Sequence, residues 1–209
     1  PMEIFVDRRS TNCLKVIAVA KHVAAAVNFI DIDLSRGEQR SPGVLAMNPM
    51  GQVPILRDGT RILTESNAII QYLAELSQDY TLWPRSAWAR ADVSRWLFWS
   101  AAQLGPAVKP FQWERMFKSF LGLGPADPNV IARAEIEFPK VLNTLEIALA
   151  GAGEGIAGAS SPTLADYAIA ATLFYAEPAG LPLAKFPRVS TWRDQMMELP
   201  AWRAAPEAK

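Results

Sequence analysis

The sequence predicts a two-part chain, a mixed α/β domain of element order βαβαββα followed by an all-helical domain. Three observations carry that reading. Short apolar strands alternate with helix-period stretches up to about residue 78. Strand signals then fade, and amphipathic helical runs dominate the remainder. A proline also stands directly before an apolar strand start, in Asn48-Pro49-Met50-Gly51-Gln52-Val53-Pro54-Ile55-Leu56.

Each element has its own signal. Ile4-Phe5-Val6 is a short apolar strand, and Cys13, Val16, Ile17 and Ala20 then recur on one helical face. Val27-Asn28-Phe29-Ile30-Asp31-Ile32 alternates as a half-buried strand does. Gly37, Ser41, Pro42 and Gly43 mark an irregular short helix. Val53 to Leu56 and Arg61 to Leu63 flank Asp58-Gly59, a hairpin turn signal. Ile69, Ile70, Leu73 and Leu76 form the stripe of the last helix of this domain. The order is that of a thioredoxin-like domain, expected over 1–78, but without the Cys-x-x-Cys pair of a dithiol oxidoreductase.

Residues 79–86, with Pro84, read as a linker, and 87–209 as the helical domain. Its first helix runs from Ala87 to Leu104, where Gly105-Pro106 and Lys109-Pro110 are expected to bend or break it. Asp127-Pro128 opens a second, with an N-cap and a proline at the first position. Ile131, Ala134, Phe138, Leu142, Leu145 and Leu149 line its buried face, and Pro139 is expected to kink it. In Ser161-Pro162-Thr163-Leu164-Ala165-Asp166, Thr163 and Asp166 have capping-box spacing, with Asp in the place of the usual Glu.

Composition narrows the function classes. The chain has 209 residues, half of them hydrophobic, and its 21 basic residues balance 21 acidic ones. No electrostatic footprint points to nucleic acid or to an anionic membrane surface. No run reaches the roughly 18 apolar residues of a membrane span, and the first residues lack the apolar stretch of a secretory signal. Cys13, the only cysteine, excludes an intrachain disulfide and fits a reducing compartment, so a cytoplasmic location is expected.

Two segments point to a small peptide ligand. Pro54 cannot donate a ladder hydrogen bond, so it belongs at a strand start, an edge or a special turn. With a cis Val53–Pro54 bond, the N–H and C=O of Val53 would face outward, where an extended peptide can pair with them as an added strand. Glu65-Ser66, in Thr64-Glu65-Ser66 just ahead of the next helix, can take the ends of an amino acid, since a carboxylate suits a helix N-terminus and Glu accepts from an ammonium. A third segment, Ser10-Thr11-Asn12-Cys13, puts hydroxyl, amide and thiol groups at the N-terminus of the first helix, where an anion is favoured.

The pattern Asn-Pro-x-Gly-x-Val-Pro followed by Thr-Glu-Ser-x-Ala-Ile resembles the glutathione-binding half of the glutathione S-transferases, and the Thr-Leu-Ala-Asp box resembles their second domain. The resemblance implies glutathione as co-substrate, with no metal. Val53 beside Pro54 would pair with the cysteinyl backbone, and Glu65 and Ser66 would hold the γ-glutamyl end. Gln52 would contribute from the proline loop, and Gln39, where theta-like members place a histidine, would face the glycyl carboxylate. Ser10 matches the Ser-x-x-Cys of theta-like and delta-like members. The run Ser10-x-Asn12-x-x-Lys15-Val16 and the stretch Trp96-Leu97-Phe98-Trp99 also resemble the nu type. Thr11 stands where these loops commonly have proline, and Cys13 where the nu type has glycine. Ser10 and Asn12 are therefore the two candidate donors to the glutathione sulfur.

The implied reaction is attack of the glutathione thiolate on a small apolar electrophile. Gln103, Trp113 and Phe117 are the candidate pocket residues of the helical domain, and a homodimer is the implied assembly. Two other readings stand beside it. One is a glutathione-dependent disulfide or peroxide reductase of nu type, using two glutathiones or Cys13 plus one. The other is a non-catalytic glutathione-binding protein of the same fold. Plainer roles compete for single residues: Ser10 and Asn12 as helix caps, Cys13 as an inert core thiol, and Trp113 and Phe117 as packing residues. His22 lies too far along the helix from Ser10 to complete a hydrolytic triad.

Overall fold

The computed structural model describes residues 1–151 and 155–203. The chain divides into two compact units, one formed by Pro1–Pro84 with the described residues from Glu198 on, the other by Arg85–Met197. Residues 198–203, which fall in the expected helical domain, thus group with the first unit, and 204–209 lie outside the described residues.

The first unit is built on a four-stranded sheet of order β2-β1-β3-β4. Strand β1 (Met2–Val6) pairs in parallel with β2 (Val27–Asp31) and antiparallel with β3 (Ile55–Asp58), which turns into β4 (Arg61–Leu63). Parallel neighbours need a crossover, supplied here by helix α1 (Thr11–His22). The β3–β4 hairpin closes through Gly59 and Thr60 between paired Asp58 and Arg61, with Gly59 at φ +62°, a value that suits glycine. Helix α2 (Pro42–Met47) follows two 3₁₀ turns at Leu34–Arg36 and Glu38–Arg40, the irregular helical stretch that the glycine and proline spacing anticipates.

Both sheet faces are covered, which explains why Ile4-Phe5-Val6 of β1 is apolar on successive residues rather than alternating. Phe5 and Ile55 pack with Val44 of α2, along with Ile30, Ile32 and Met47. Fully buried Ile4, Val6 and Leu56 belong with the apolar stripes of α1 and of α3 (Ser66–Ser77), helices that pack on each other. The short helix at Pro200–Arg203 also packs on α1. Leu82 and Trp83 are buried, so the expected linker is anchored rather than free-running.

Helices joined by turns and loops make up the described residues of the second unit, and the described strands all lie in the first. Helix α4 (Ala87–Trp99) starts at Ser86, whose hydroxyl accepts from the Ala89 amide at 3.2 Å. It is neither broken at Gly105-Pro106 nor at Pro110. A π turn at Ser100–Leu104 leads directly into α5 (Gly105–Gln112), and a second at Trp113–Phe117 into α6 (Lys118–Phe120). The Gly105 amide reaches back five residues to the Ser100 carbonyl. That wider turn accommodates a proline unable to join the ordinary four-residue ladder. Helix α7 (Pro128–Ala150) likewise runs on through Pro139.

Helix α8 (Leu164–Thr172) carries the capping box. Asp166 accepts from the Thr163 amide at 2.8 Å and hydroxyl at 3.2 Å, from the Ile156 amide at 3.0 Å and from Trp192 Nε1 at 3.0 Å. The box therefore ties three segments together, beyond its local duty. Helices α9 (Ala176–Ala179) and α10 (Pro187–Met197) complete the unit, and the Pro200–Arg203 helix of the first unit is α11.

Candidate active site

The first-unit candidates lie at two helix N-termini, in one proline loop and in a 3₁₀ turn beside that loop. The Val53–Pro54 peptide is cis, immediately ahead of β3. Val53 makes no backbone hydrogen bond to another described residue. The loop before it is stapled by buried Asn48, which donates to the Gln52 carbonyl at 2.9 Å and accepts from the Met50 amide at 3.1 Å. The Gln52 side chain is exposed.

Ser10 occupies the N-cap of α1 with extended backbone, yet its side chain makes no capping hydrogen bond. The plain capping role therefore does not use its hydroxyl. Asn12, in the first turn of α1 and exposed, accepts from Ser66 Oγ at 3.2 Å. Ser66 opens α3, so this bond joins the first turns of α1 and α3. Glu65, just before it, holds φ +69°, a region that non-glycine residues enter at a cost of about 1–3 kcal/mol. Its side chain makes no capping bond and is exposed. A strained backbone at a helix start, bearing an exposed carboxylate that does not cap the helix, marks Glu65 as a candidate functional position.

Gln39 lies in the second 3₁₀ turn, with its Oε1 enclosed and without a partner. Its backbone rests against the proline loop: a Cβ added at Gly51 (φ +60°) would sit 3.1 Å from the Gln39 carbonyl oxygen. All six glutathione candidates thus sit on three segments of one unit. Cys13 is completely buried, and burial pushes its thiol up to about 11 despite hydrogen bonds from the Asp7 backbone and Ser10. That thiol is protonated at neutral pH and closed to solvent. His22 ends α1 and pairs with Asp79 at 3.3 Å, roughly 18 Å along the helix from Ser10.

Two buried charged residues shape this region: Lys15, which the sequence offered only as part of the nu-type run, and Asp7, which it did not single out. Lys15 is buried on α1 and donates to Asn67 Oδ1 of α3 at 2.6 Å. Burial brings its ammonium down to about 7, with Glu65 pulling the other way. A lysine flanked by Cys13, Leu14, Val16 and Ile17 was the available signal. Asp7, at the end of β1, is buried too. Burial pushes its carboxyl up, but bonds from Arg9 and the Leu34 amide outweigh that and hold it below the ordinary value.

In the second unit, Trp113 and Phe117 lie together in one π turn, ring centroids 6.5 Å apart and both about 40% exposed (40% and 39%). Gln103 is not with them; it lines a separate depression with Arg95, Trp96, Phe98, Trp99 and Thr144. No cluster of three or more metal-ligating side chains occurs among the described residues, and no described helix is long and apolar enough to cross a membrane.

Comparison with known proteins decides the family. Residues 1–75 match the model of the glutathione S-transferase N-terminal domain, and residues 128–204 that of the C-terminal domain. The chain is 33% identical to glutathione S-transferase F10 of Arabidopsis thaliana over 193 residues, 89% of this chain and 88% of that protein. The chain belongs to the glutathione S-transferase family. Glutathione S-transferase 2 of Anopheles gambiae is 34% identical over 185 residues, 88% of this chain and 84% of that one. Among solved transferases, glutathione S-transferase-I bound with lactoylglutathione superposes at TM-score 0.86 with 28% identity, over 98% of each chain. These transferases match along both units, so the thioredoxin-like sheet and the helical unit are each family features.

Proposed function

We propose that the protein is a glutathione transferase in which the first unit holds glutathione and Ser10 stabilises its thiolate. The cysteinyl backbone of the tripeptide pairs with Val53 beside Pro54 and Gln52. Glu65 and Ser66 take the γ-glutamyl end, and Gln39 the glycyl end. The observation that carries this reading is three groups of the first unit that serve no ladder or cap: the Val53 backbone, the exposed carboxylate of Glu65 on its strained backbone, and the Ser10 hydroxyl, which is turned to the Cys13 thiol instead of capping α1.

The chemistry then needs little from the protein. A free thiol ionises near 8.5. A hydrogen bond donated by the Ser10 hydroxyl to the charged sulfur contributes about 1.5–3 kcal/mol, which lowers that value by roughly one to two units. The N-terminus of α1 adds its positive end. Asn12, its Oδ1 engaged by Ser66, offers its amide as a second donor. The thiol proton passes to solvent, the sulfur lone pair forms a C–S bond to the electrophilic carbon, and the leaving group departs with the bonding pair. The apolar surface of Trp113 and Phe117 is our candidate for contact with a small hydrophobic electrophile, and Gln103 is a weaker one because it faces a different depression. No step requires a metal. A cytoplasmic homodimer completes the proposal, supported by the unpaired Cys13 and by the family.

The decisive test follows the thiolate. Glutathione bound to the wild type should show thiolate absorbance at neutral pH. Ser10→Ala should lose it and drop kcat/KM toward an aryl halide by about 10²-fold, while calorimetric binding persists. Asn12→Ala should cost less. Absence of binding at millimolar glutathione would defeat the proposal, and binding without ionisation in the wild type would recast the protein as non-catalytic. Cys13→Ser should retain full disulfide-reducing and transferase activity, since the buried thiol takes no part.

A further inference from the structure

The loop bearing Ser10 and the loop bearing Gln39 are joined through the Asp7 carboxylate in two ways, by the Leu34 amide directly and by the Arg9 guanidinium, which alone reaches on to Asp33. Arg9 donates through Nε to Asp7 Oδ1 at 2.9 Å and through Nη2 to Asp7 Oδ2 at 2.5 Å, and the same Nη2 donates to Asp33 Oδ1 at 2.7 Å. Asp7 is 4% exposed and also accepts from the Arg9 amide at 2.9 Å and the Leu34 amide at 3.0 Å. Its own carbonyl accepts from the Ser10 amide at 3.0 Å. On the other side, the Asp33 amide donates to Glu38 Oε2 at 2.8 Å, and Glu38 directly precedes Gln39.

The chain of bonds therefore runs from Ser10 through Asp7, Arg9 and Asp33 to Glu38, the neighbour of Gln39, entirely within the first unit. A forked guanidinium suits this task because its donors have fixed relative directions, whereas an ammonium is a single point charge. Beyond Gln39 the loop rests on Gly51, so it is held from both sides. The enclosed Gln39 Oε1 without a partner leaves that side chain as the group whose placement the loop controls.

We propose that Arg9 is a positioning residue that fixes the spacing between the Ser10 and Gln39 loops and thereby sets how well the protein reads the glycyl end of glutathione. This rests on the function proposed above. Ser10 and the γ-glutamyl clamp at Glu65-Ser66 have their own anchors in α1 and α3, so loosening the Arg9 link displaces Gln39 first. The link acts on one end of the tripeptide rather than on the whole.

Titration calorimetry with two peptides tests it: glutathione, and γ-glutamylcysteine, which lacks the glycyl residue. Wild type, Arg9→Ala, Arg9→Lys and Asp33→Asn are compared, with Gln39→Ala as the reference for a lost glycyl contact. Arg9→Ala should weaken glutathione about tenfold and change γ-glutamylcysteine by less than twofold. Arg9→Lys should behave like Arg9→Ala because it lacks the fork. Asp33→Asn leaves the buried Asp7–Arg9 pair intact and should repeat the selective loss if Arg9→Ala folds poorly. Equal loss of both peptides, or loss of neither, would overturn the proposal while leaving the function intact. A wild type that binds neither peptide would overturn the functional reading, and this one with it.

Discussion

At the scale of single residues, Lys15 and Gly51 carry consequences beyond the ligand contacts. Lys15 is held with its ammonium near 7, against 10.5 for an ordinary lysine. Below pH 7 folded and unfolded chains both carry the charge, and the folded one bears the full burial penalty. Above it the folded chain sheds the proton that the unfolded chain still binds, so stability rises with pH. Between pH 7 and pH 9 the stability of wild type relative to Lys15→Met should climb by about 2 kcal/mol. Denaturant melts at the two values measure it, and a constant difference would mean that the lysine escapes its burial. At Gly51, φ +60° and the 3.1 Å approach of the Gln39 carbonyl both oppose a side chain. Gly51→Ala should cost about 1–2 kcal/mol of stability and weaken glutathione binding in calorimetry. Unaltered binding would show the Gln39 loop indifferent to its support.

At the scale of elements, the Thr163–Asp166 box separates a cap from a junction. A cap alone contributes about 1 kcal/mol, and Thr163→Ala should cost about that. Asp166 also satisfies the Ile156 amide and the Trp192 indole in a fully buried setting. Asp166→Ala should therefore cost about 3 kcal/mol or more, because it strands buried donors; equal losses in urea titrations would reduce Asp166 to its capping role. The box was legible because its two residues are three apart. The same locality made β1, the Gly59 hairpin and the stripes of α1, α3 and α7 legible, except that Leu76, expected in the α3 stripe, sits in the last turn of its helix and is exposed while Ala74 is buried. It also brought the proline loop and Glu65-Ser66 into view. What stayed hidden lies far apart in sequence. Asp166 meets Trp192, Arg9 meets Asp33 and Lys15 meets Asn67 across spans that no local periodicity encodes. The prolines of α5 misled in the opposite direction. Local rules forbid them in an α ladder, yet a π turn absorbs Pro106 with the helix intact.

At the scale of the whole molecule, two features bear on assembly. The formal charges cancel, so self-association meets little electrostatic opposition. The helical unit also leaves large apolar side chains in solvent: Trp88 at 85% and Phe98 at 75% exposure on α4, with Ile136 and Ile147 at 62% and 65% on α7. Isolated exposed apolar residues are ordinary, but two nearly bare aromatic rings on one helix are costly unless a partner covers them. A two-fold dimer, the commonest oligomer and the one proposed here, would bury such a surface against its own copy. Sedimentation at micromolar concentration should then give twice the 22.9 kDa chain mass. Phe98→Asp tests the surface without disturbing the core, because three quarters of that residue already faces solvent in the single chain. The variant should sediment as a monomer with an unchanged helical spectrum. A Phe98→Asp protein that remains dimeric would move the interface elsewhere, and a monomeric wild type would remove it altogether.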